Sequence, residues 1–168
     1  LVAFDKFKDA LSARDTCEIA VEAIQKCRPE WLVETAPLAD GGDGFCDTLT
    51  GCLNGEFHET TVSGPLAKKV KAQFGIVSVD RLQSSAVALL NWKSNLKKIA
   101  VIELAESSGI SLTPLENRSP WTTTTAGLGE VIQSAIDHGA SGAIVGLGGS
   151  ATHDLGLGAL WKLGFQFL

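Results

Sequence analysis

Apolar residues recur along this chain with two different periods, and the order in which those periods alternate sets the fold class. Leu1-Val2-Ala3-Phe4 is a short apolar run that predicts a buried strand. Ala13, Cys17, Ala20, Val21, Ile24 and Cys27 then recur at helical spacing. Ser12, with Asp15 three residues on, marks a helix start near Ala13, and Pro29 stops the pattern. A second strand is predicted over 31–36. After a loop rich in Asp and Gly comes a second helix over 45–53, left through Asn54-Gly55. Strand, helix, strand, helix is the opening of a parallel sheet with right-handed crossovers. That topology gathers loops 5–8 and 40–44 at the carboxyl edge of the strands, where α/β proteins bind ligands.

Beyond Gly55 the pattern changes. Residues 57–62 and the alternating Val70, Ala72, Phe74 and Ile76 predict an antiparallel pair joined through Ser63-Gly64-Pro65. Residues 79–98 carry the weakest periodicity, and their apolar stretch 86–90 is assigned a further strand beside an exposed loop. A strand over 99–104 follows, then a helix over 128–138 capped by Thr125 and ended by Gly139. A strand over 143–147 leads into the loop at Gly148 and a last helix ending near Leu163. The expected class is α/β in two domains. Residues 1–60 form part of a parallel α/β domain, and residues 61–168 form a second α/β domain with a mixed sheet and helices. Both ends read as cut strands and methionine is absent. The chain is therefore expected to be truncated, incomplete at its C-terminus, with functional groups outside it.

A hydrophobic content of 45% over 168 residues is enough for a real core. A net charge of −5 and no basic stripe exclude a nucleic-acid surface or an anionic-membrane surface, leaving small anions at a local positive pocket. No apolar run approaches the roughly 20 residues that span a bilayer, and no signal-like segment opens the chain, so a cytoplasmic location is expected. Cys17, Cys27, Cys46 and Cys52 lack C-x-x-C spacing and lie among apolar residues, as reduced, buried thiols do.

Two glycine-dense loops carry the candidate chemistry: Pro37-Leu38-Ala39-Asp40-Gly41-Gly42-Asp43-Gly44 and Gly148-Gly149-Ser150-Ala151-Thr152-His153-Asp154. Each leaves an apolar run and enters a helical pattern, so backbone N–H groups at a helix start can receive phosphate or carboxylate. In the second loop, Gly148, Gly149, Ser150 and Thr152 offer donors, with Asp154 close by for a proton or Mg²⁺. In the first, Asp40 and Asp43 bracket two glycines and could hold hydrated Mg²⁺, or serve only as Asx turns. Lys8 is placed to neutralise phosphate, Asp5 to accept from a hydroxyl, and Arg118 to fork onto a carboxylate. For each of these three the alternative is a solvated or paired surface charge. Gly146, Gly148 and Ala151 also satisfy G-x-G-x-x-G/A, which leaves a dinucleotide-binding oxidoreductase open as a second reading. A third is a non-catalytic binding module. The Walker A pattern is absent. Glu103 and Glu106 flank a strand end and either line a cleft or cap, and the three histidines show no metal spacing.

Asp5-Lys6-Phe7-Lys8-Asp9-Ala10-Leu11-Ser12-Ala13 resembles the opening motif of the bacterial type I glycerate kinase family. Further matches lie at Pro37 to Gly44, Ser63-Gly64-Pro65-Leu66, Ile102 to Gly109, Arg118-Ser119-Pro120 with Thr123 to Glu130, and Gly148 to Asp154. The resemblance implies ATP-dependent phosphorylation of D-glycerate, with Mg²⁺, by two α/β domains. One of them is flavodoxin-like, assembled from both chain ends, and the active site lies between the two. It allows a homodimer. On this reading Asp154 is the base or hydroxyl-orienting acid, with Asp40 second or a Mg²⁺ contact beside Asp43. Lys8 contacts phosphate, and Arg118 clamps the glycerate carboxylate.

Overall fold

The computed structural model describes residues 1–92 and 96–167. Its centre is a four-stranded mixed sheet in the order β1 (Glu56–Ser63), β2 (Lys69–Ser78), β3 (Lys98–Glu103), β4 (Gly142–Gly146). The β1–β2 hairpin is antiparallel with Val62 opposite Val70. β2 and β3 are antiparallel, and β3 and β4 are parallel with Glu103 opposite Gly146. The helices are α1 (Ala13–Cys27), α2 (Phe45–Cys52), α3 (Ser84–Leu89), α4 (Ala105–Ser108), α5 (Ala126–Asp137) and α6 (Leu157–Lys162), of which α2, α4 and α5 pack on the sheet and α6 on α5.

The sheet is covered on both faces, and β3 shows why its sequence is an unbroken apolar run. Ala100 and Ile102 join Phe74, Leu128, Val131, Ala135 and Ala159 under α5 and α6. Ile99 and Val101 point the other way, into a cluster with Phe45, Leu49, Leu53 and Ile144 under α2. Gly75 lets α2 come this close, because a Cβ there would run into the Thr50 side chain.

The amino-terminal segment departs from expectation in detail. Val2 N–H donates to the Glu34 carbonyl (2.8 Å), Ala36 N–H to the Val2 carbonyl (2.8 Å) and Leu38 N–H to the Phe4 carbonyl (2.9 Å). The parallel pairing is there, but its second member runs over 34–38 rather than 31–36. A turn carrying Trp31 N–H back to the Arg28 carbonyl consumes the earlier residues. Only Val2 of the first apolar run is buried, since a single neighbour covers it. Helix α1 begins as its cap predicts: Ser12 Oγ accepts from Asp15 N–H at 3.1 Å and donates to the Asp15 carboxylate at 2.7 Å.

Other expectations are corrected. Residues 86–90 belong to the end of α3 and its cap, not to a strand; residues 93–95 of the same stretch lie outside the described residues. The last helix starts at Leu157, well after the Gly148 loop. Thr125 does not cap α5 with its own hydroxyl; Thr124 Oγ1 accepts from Ala126 N–H instead, at 3.2 Å. Cys17 and Cys46 are buried, whereas Cys27 and Cys52 are exposed; all four are free thiols. Among the described residues, no helix is long and apolar enough to cross a membrane.

Candidate anion-binding site

The two glycine loops meet. Gly148 N–H donates to the Gly41 carbonyl at 2.8 Å, and the turns touch backbone to backbone. A Cβ on Gly148 would sit 2.5 Å from Gly42 Cα and 2.7 Å from Gly42 N, so no side chain fits between them. Gly41 (φ 89°), Gly44 (φ 87°) and Gly149 (φ 70°) hold left-handed conformations that reverse each chain at the junction. Asp43 bridges outward, its carboxylate 3.1 Å from where a Gly149 Cβ would stand.

The cation at this junction is Lys6, where Lys8 was the residue expected from the sequence. Lys6 Nζ donates to Asp40 Oδ1 at 3.0 Å and lies 4.0 Å from Asp5 Oδ1. The same Asp40 oxygen accepts from Gly42 N–H at 2.9 Å, an Asx turn that shapes the loop. Burial opposes the charge on Lys6, but the bond and charge of Asp40, with Asp5 and Asp43, hold its pKa above the ordinary lysine value. The Gly42 amide and Lys6 hold the Asp40 carboxyl below its ordinary value. Loops 5–8 and 40–44 therefore do share one edge. Next to it opens a cleft of about 670 Å³ lined by Asp5, Lys6, Lys8, Arg14, Asp43 and Asp47 among others.

Glu103, at the end of β3, is 4% exposed. Its Oε2 accepts from Gly44 N–H at 3.0 Å and Cys46 N–H at 3.3 Å, capping α2 from the end of β3. Burial pushes its pKa up to about 7, with the Glu106 and Asp43 charges adding to the rise and the two amides opposing it. Glu106 accepts from Gln73 N–H (3.1 Å), and Gln73 Nε2 donates to Asp47 on α2 (2.7 Å). Of the two roles left open for these acids, capping is the one Glu103 fills.

Asp154 is a junction residue. Its carboxylate accepts from Thr125 N–H (2.8 Å), Thr125 Oγ1 (2.8 Å), Gly156 N–H (3.1 Å) and Gly158 N–H (3.2 Å). Four donors occupy the roughly four lone-pair sites of a carboxylate. Burial alone would raise its pKa, but the Thr125, Gly156 and Gly158 bonds outweigh it and hold the group ionised below the ordinary value. Asp154 thus ties α5 to the start of α6.

Ser150 and Thr152 bond to each other (Oγ to Oγ1, 2.9 Å), and Thr152 N–H turns back to Ser150 Oγ at 3.0 Å. Arg118 donates from Nε to the Thr113 carbonyl at 3.1 Å, bracing its own exposed loop; that loop reaches the second glycine turn where Ile110 N–H meets the Gly149 carbonyl at 2.8 Å. Asp5 and Lys8 line the cleft; Asp40, Asp154, Arg118, Ser150 and Thr152 are not among its walls. Among the described residues no group of three or more His, Cys, Asp or Glu is arranged to hold a metal. His58 and His138, far apart in the sequence, lie with ring centroids 4.5 Å apart.

The geometry removes the dinucleotide reading. That fold needs the glycine turn to run straight into a helix whose N-terminus faces the pyrophosphate. Here residues 152–156 intervene, and the amides opening the six-residue α6 are taken by Asp154.

The sequence comparisons agree with the resemblance. The model of the glycerate kinase family matches residues 1–168. The glycerate kinase of Bacillus subtilis (strain 168) is 38% identical over 168 residues, all of this chain and 40% of the relative. The glycerate 2-kinase of Escherichia coli (strain K12) is 35% identical over 164 residues, 98% of this chain and 39% of the relative. The crystal structure of a candidate glycerate kinase 2 from Salmonella typhimurium LT2 aligns with a TM-score of 0.75 at 33% identity, over 97% of this chain and 40% of that one. The chain spans about 40% of the length of these relatives. With its family model matched from end to end, the chain belongs to the glycerate kinase family.

Proposed function

We propose that the protein containing this chain is a glycerate kinase that moves the γ-phosphate of ATP onto a hydroxyl of D-glycerate. The observation that carries the reading is the backbone contact between the turns at Gly41-Gly42 and Gly148, with Lys6 at the junction and the cleft beside it. Phosphoryl transfer asks the protein for positioning and charge neutralisation more than for covalent help, and backbone N–H groups and lysines supply both. Lys8 and Lys6 contact phosphate. Asp5 accepts from a hydroxyl, and Arg118 receives the glycerate carboxylate from its loop beside the second glycine turn. Asp40, exposed at the turn, orients the acceptor hydroxyl, while Asp154 positions the α5–α6 junction instead of taking a proton. The 2-hydroxyl is the proposed acceptor, following the name of the Escherichia coli relative.

Mg²⁺ fits as an ion held chiefly by the nucleotide, since it keeps several waters and takes only one or two carboxylates in such sites. Asp43, exposed on the cleft wall, is the residue that would hold it, with Asp40 already engaged by Lys6. Bound there, Mg²⁺ neutralises charge on the phosphate oxygens. The same reading makes residues 1–60 part of a flavodoxin-like domain in a cytoplasmic enzyme, with a homodimer as the proposed assembly.

A coupled ADP-release assay on the full-length protein tests the proposal. ADP release that depends on D-glycerate supports it, and stabilisation by NAD(H) but not by ATP–Mg²⁺ would revive the oxidoreductase reading.

A further inference from the structure

We propose that Glu103 is a positioning residue that holds the first glycine turn in its anion-accepting shape, and so sets how tightly the site takes ATP. Its kinetic readout rests on the glycerate kinase reading; its structural readout does not.

The first N–H groups of a helix have no partner within it, and a Ser, Thr, Asp or Asn at the N-cap usually supplies one. In α2 the N-cap is Gly44, at φ 87°, which has no side chain to give. Glycine is the residue that turns there without strain, so the cap must come from elsewhere. Glu103 provides it from 59 residues away, with one carboxylate oxygen on Gly44 N–H and Cys46 N–H. Through its backbone the same residue stands opposite Gly146 in the β3–β4 ladder, and Leu104 N–H donates to the Gly146 carbonyl at 2.9 Å. Glu103 thus grips the exit of the first turn by its side chain, while the next residue, Leu104, holds the stem of the second by its main chain. The backbone contact between Gly42 and Gly148 lies between those two grips.

A cap that merely stabilised α2 would lower melting temperature and leave substrate affinity alone. A positioning residue does more: loss of the two hydrogen bonds that shape the turn weakens ATP binding by about tenfold or more. The experiment compares Glu103→Ala, Glu103→Asp and Glu103→Gln in the full-length protein. It reads ATP KM against kcat, ATP affinity by calorimetry without glycerate, and amide hydrogen exchange at 42–46. Gln keeps an acceptor oxygen in place, so it should hold ATP affinity within about threefold of wild type, whereas Ala and the shorter Asp lose about tenfold and exchange faster at Gly44 and Cys46. Asp keeps the charge, so it supplies the test should Ala fail to fold. Unchanged ATP affinity and exchange in Ala and Asp overturn the proposal, as does a Gln variant as impaired as Ala. If wild type releases no ADP with glycerate, the kinase reading fails, while calorimetry and exchange still decide the role of Glu103.

Discussion

Gly148 N–H and the Gly41 carbonyl form a 2.8 Å hydrogen bond that joins two turns far apart in the chain, with no side chain between them. Gly148→Ala puts a Cβ 2.5 Å from Gly42 Cα, a backbone contact that no rotamer relieves. The turns must separate. The expected result is a loss of about a hundredfold or more in kcat/KM in the full-length protein, consistent with the cost of ångström-scale misplacement. Steady-state ADP release measures it.

Glu103 ionises near 4.5 in the unfolded chain and at about 7 in the folded one. Between these values the folded state keeps a proton that the unfolded state has released. The contribution of Glu103 to stability is therefore fully present below pH 4.5 and lost as pH rises to about 7, by up to about 3 kcal/mol. Denaturant unfolding of wild type and Glu103→Gln across this range should give a stability difference that shifts against wild type as pH rises. A flat difference would show that burial leaves this carboxyl unperturbed.

Glu130 works in the opposite sense. Burial opposes its charge, but Lys162 at 2.8 Å and the Ser63 N–H and hydroxyl pull its pKa down to about 2. Its contribution is present above pH 4.5 and lost as pH falls toward 2. Glu130→Gln is expected to lower unfolding free energy at neutral pH by on the order of 2 kcal/mol, with the deficit vanishing in acid.

Asp154→Asn tests whether this carboxylate is scaffold or base. Asn keeps one acceptor oxygen; placed where Oδ2 stands it still meets three of the four donors, but Gly156 N–H then faces the amide NH₂ and is left unpaired. Stability should fall by about 1–2 kcal/mol, with turnover kept within about tenfold. A loss of about a thousandfold in kcat at unchanged melting temperature would return Asp154 to the role of base.

What was legible in the sequence is what is decided locally. The Ser12 cap is written in residues three apart, the β1–β2 hairpin in alternation around Ser63-Gly64-Pro65, and β3 in an apolar run that only a strand covered on both faces needs. The glycine turns and their acids stood out by composition. What each acid does was hidden, because it depends on partners brought in by the fold. Glu103 finds Gly44 across 59 residues, and Asp154 finds Thr125 across 29. The shared edge of loops 5–8 and 40–44 was legible, but not which lysine meets Asp40, because that depends on where the Lys6 and Lys8 side chains point. Residues 86–90 misled because a short apolar run has no period to separate strand from helix.

The central claim is that the joined turns receive the phosphates, and a crystal structure of the full-length protein with a non-hydrolysable ATP analogue and D-glycerate tests it most directly. Phosphate oxygens are expected within about 3.2 Å of the N–H groups of Gly41, Asp43, Gly149 or Ser150, which the turns leave to a ligand while Gly42, Gly44 and Gly148 bond within the protein, and of Lys6 or Lys8 Nζ. A triphosphate bound away from both turns, with Gly41 and Gly148 untouched, would contradict it.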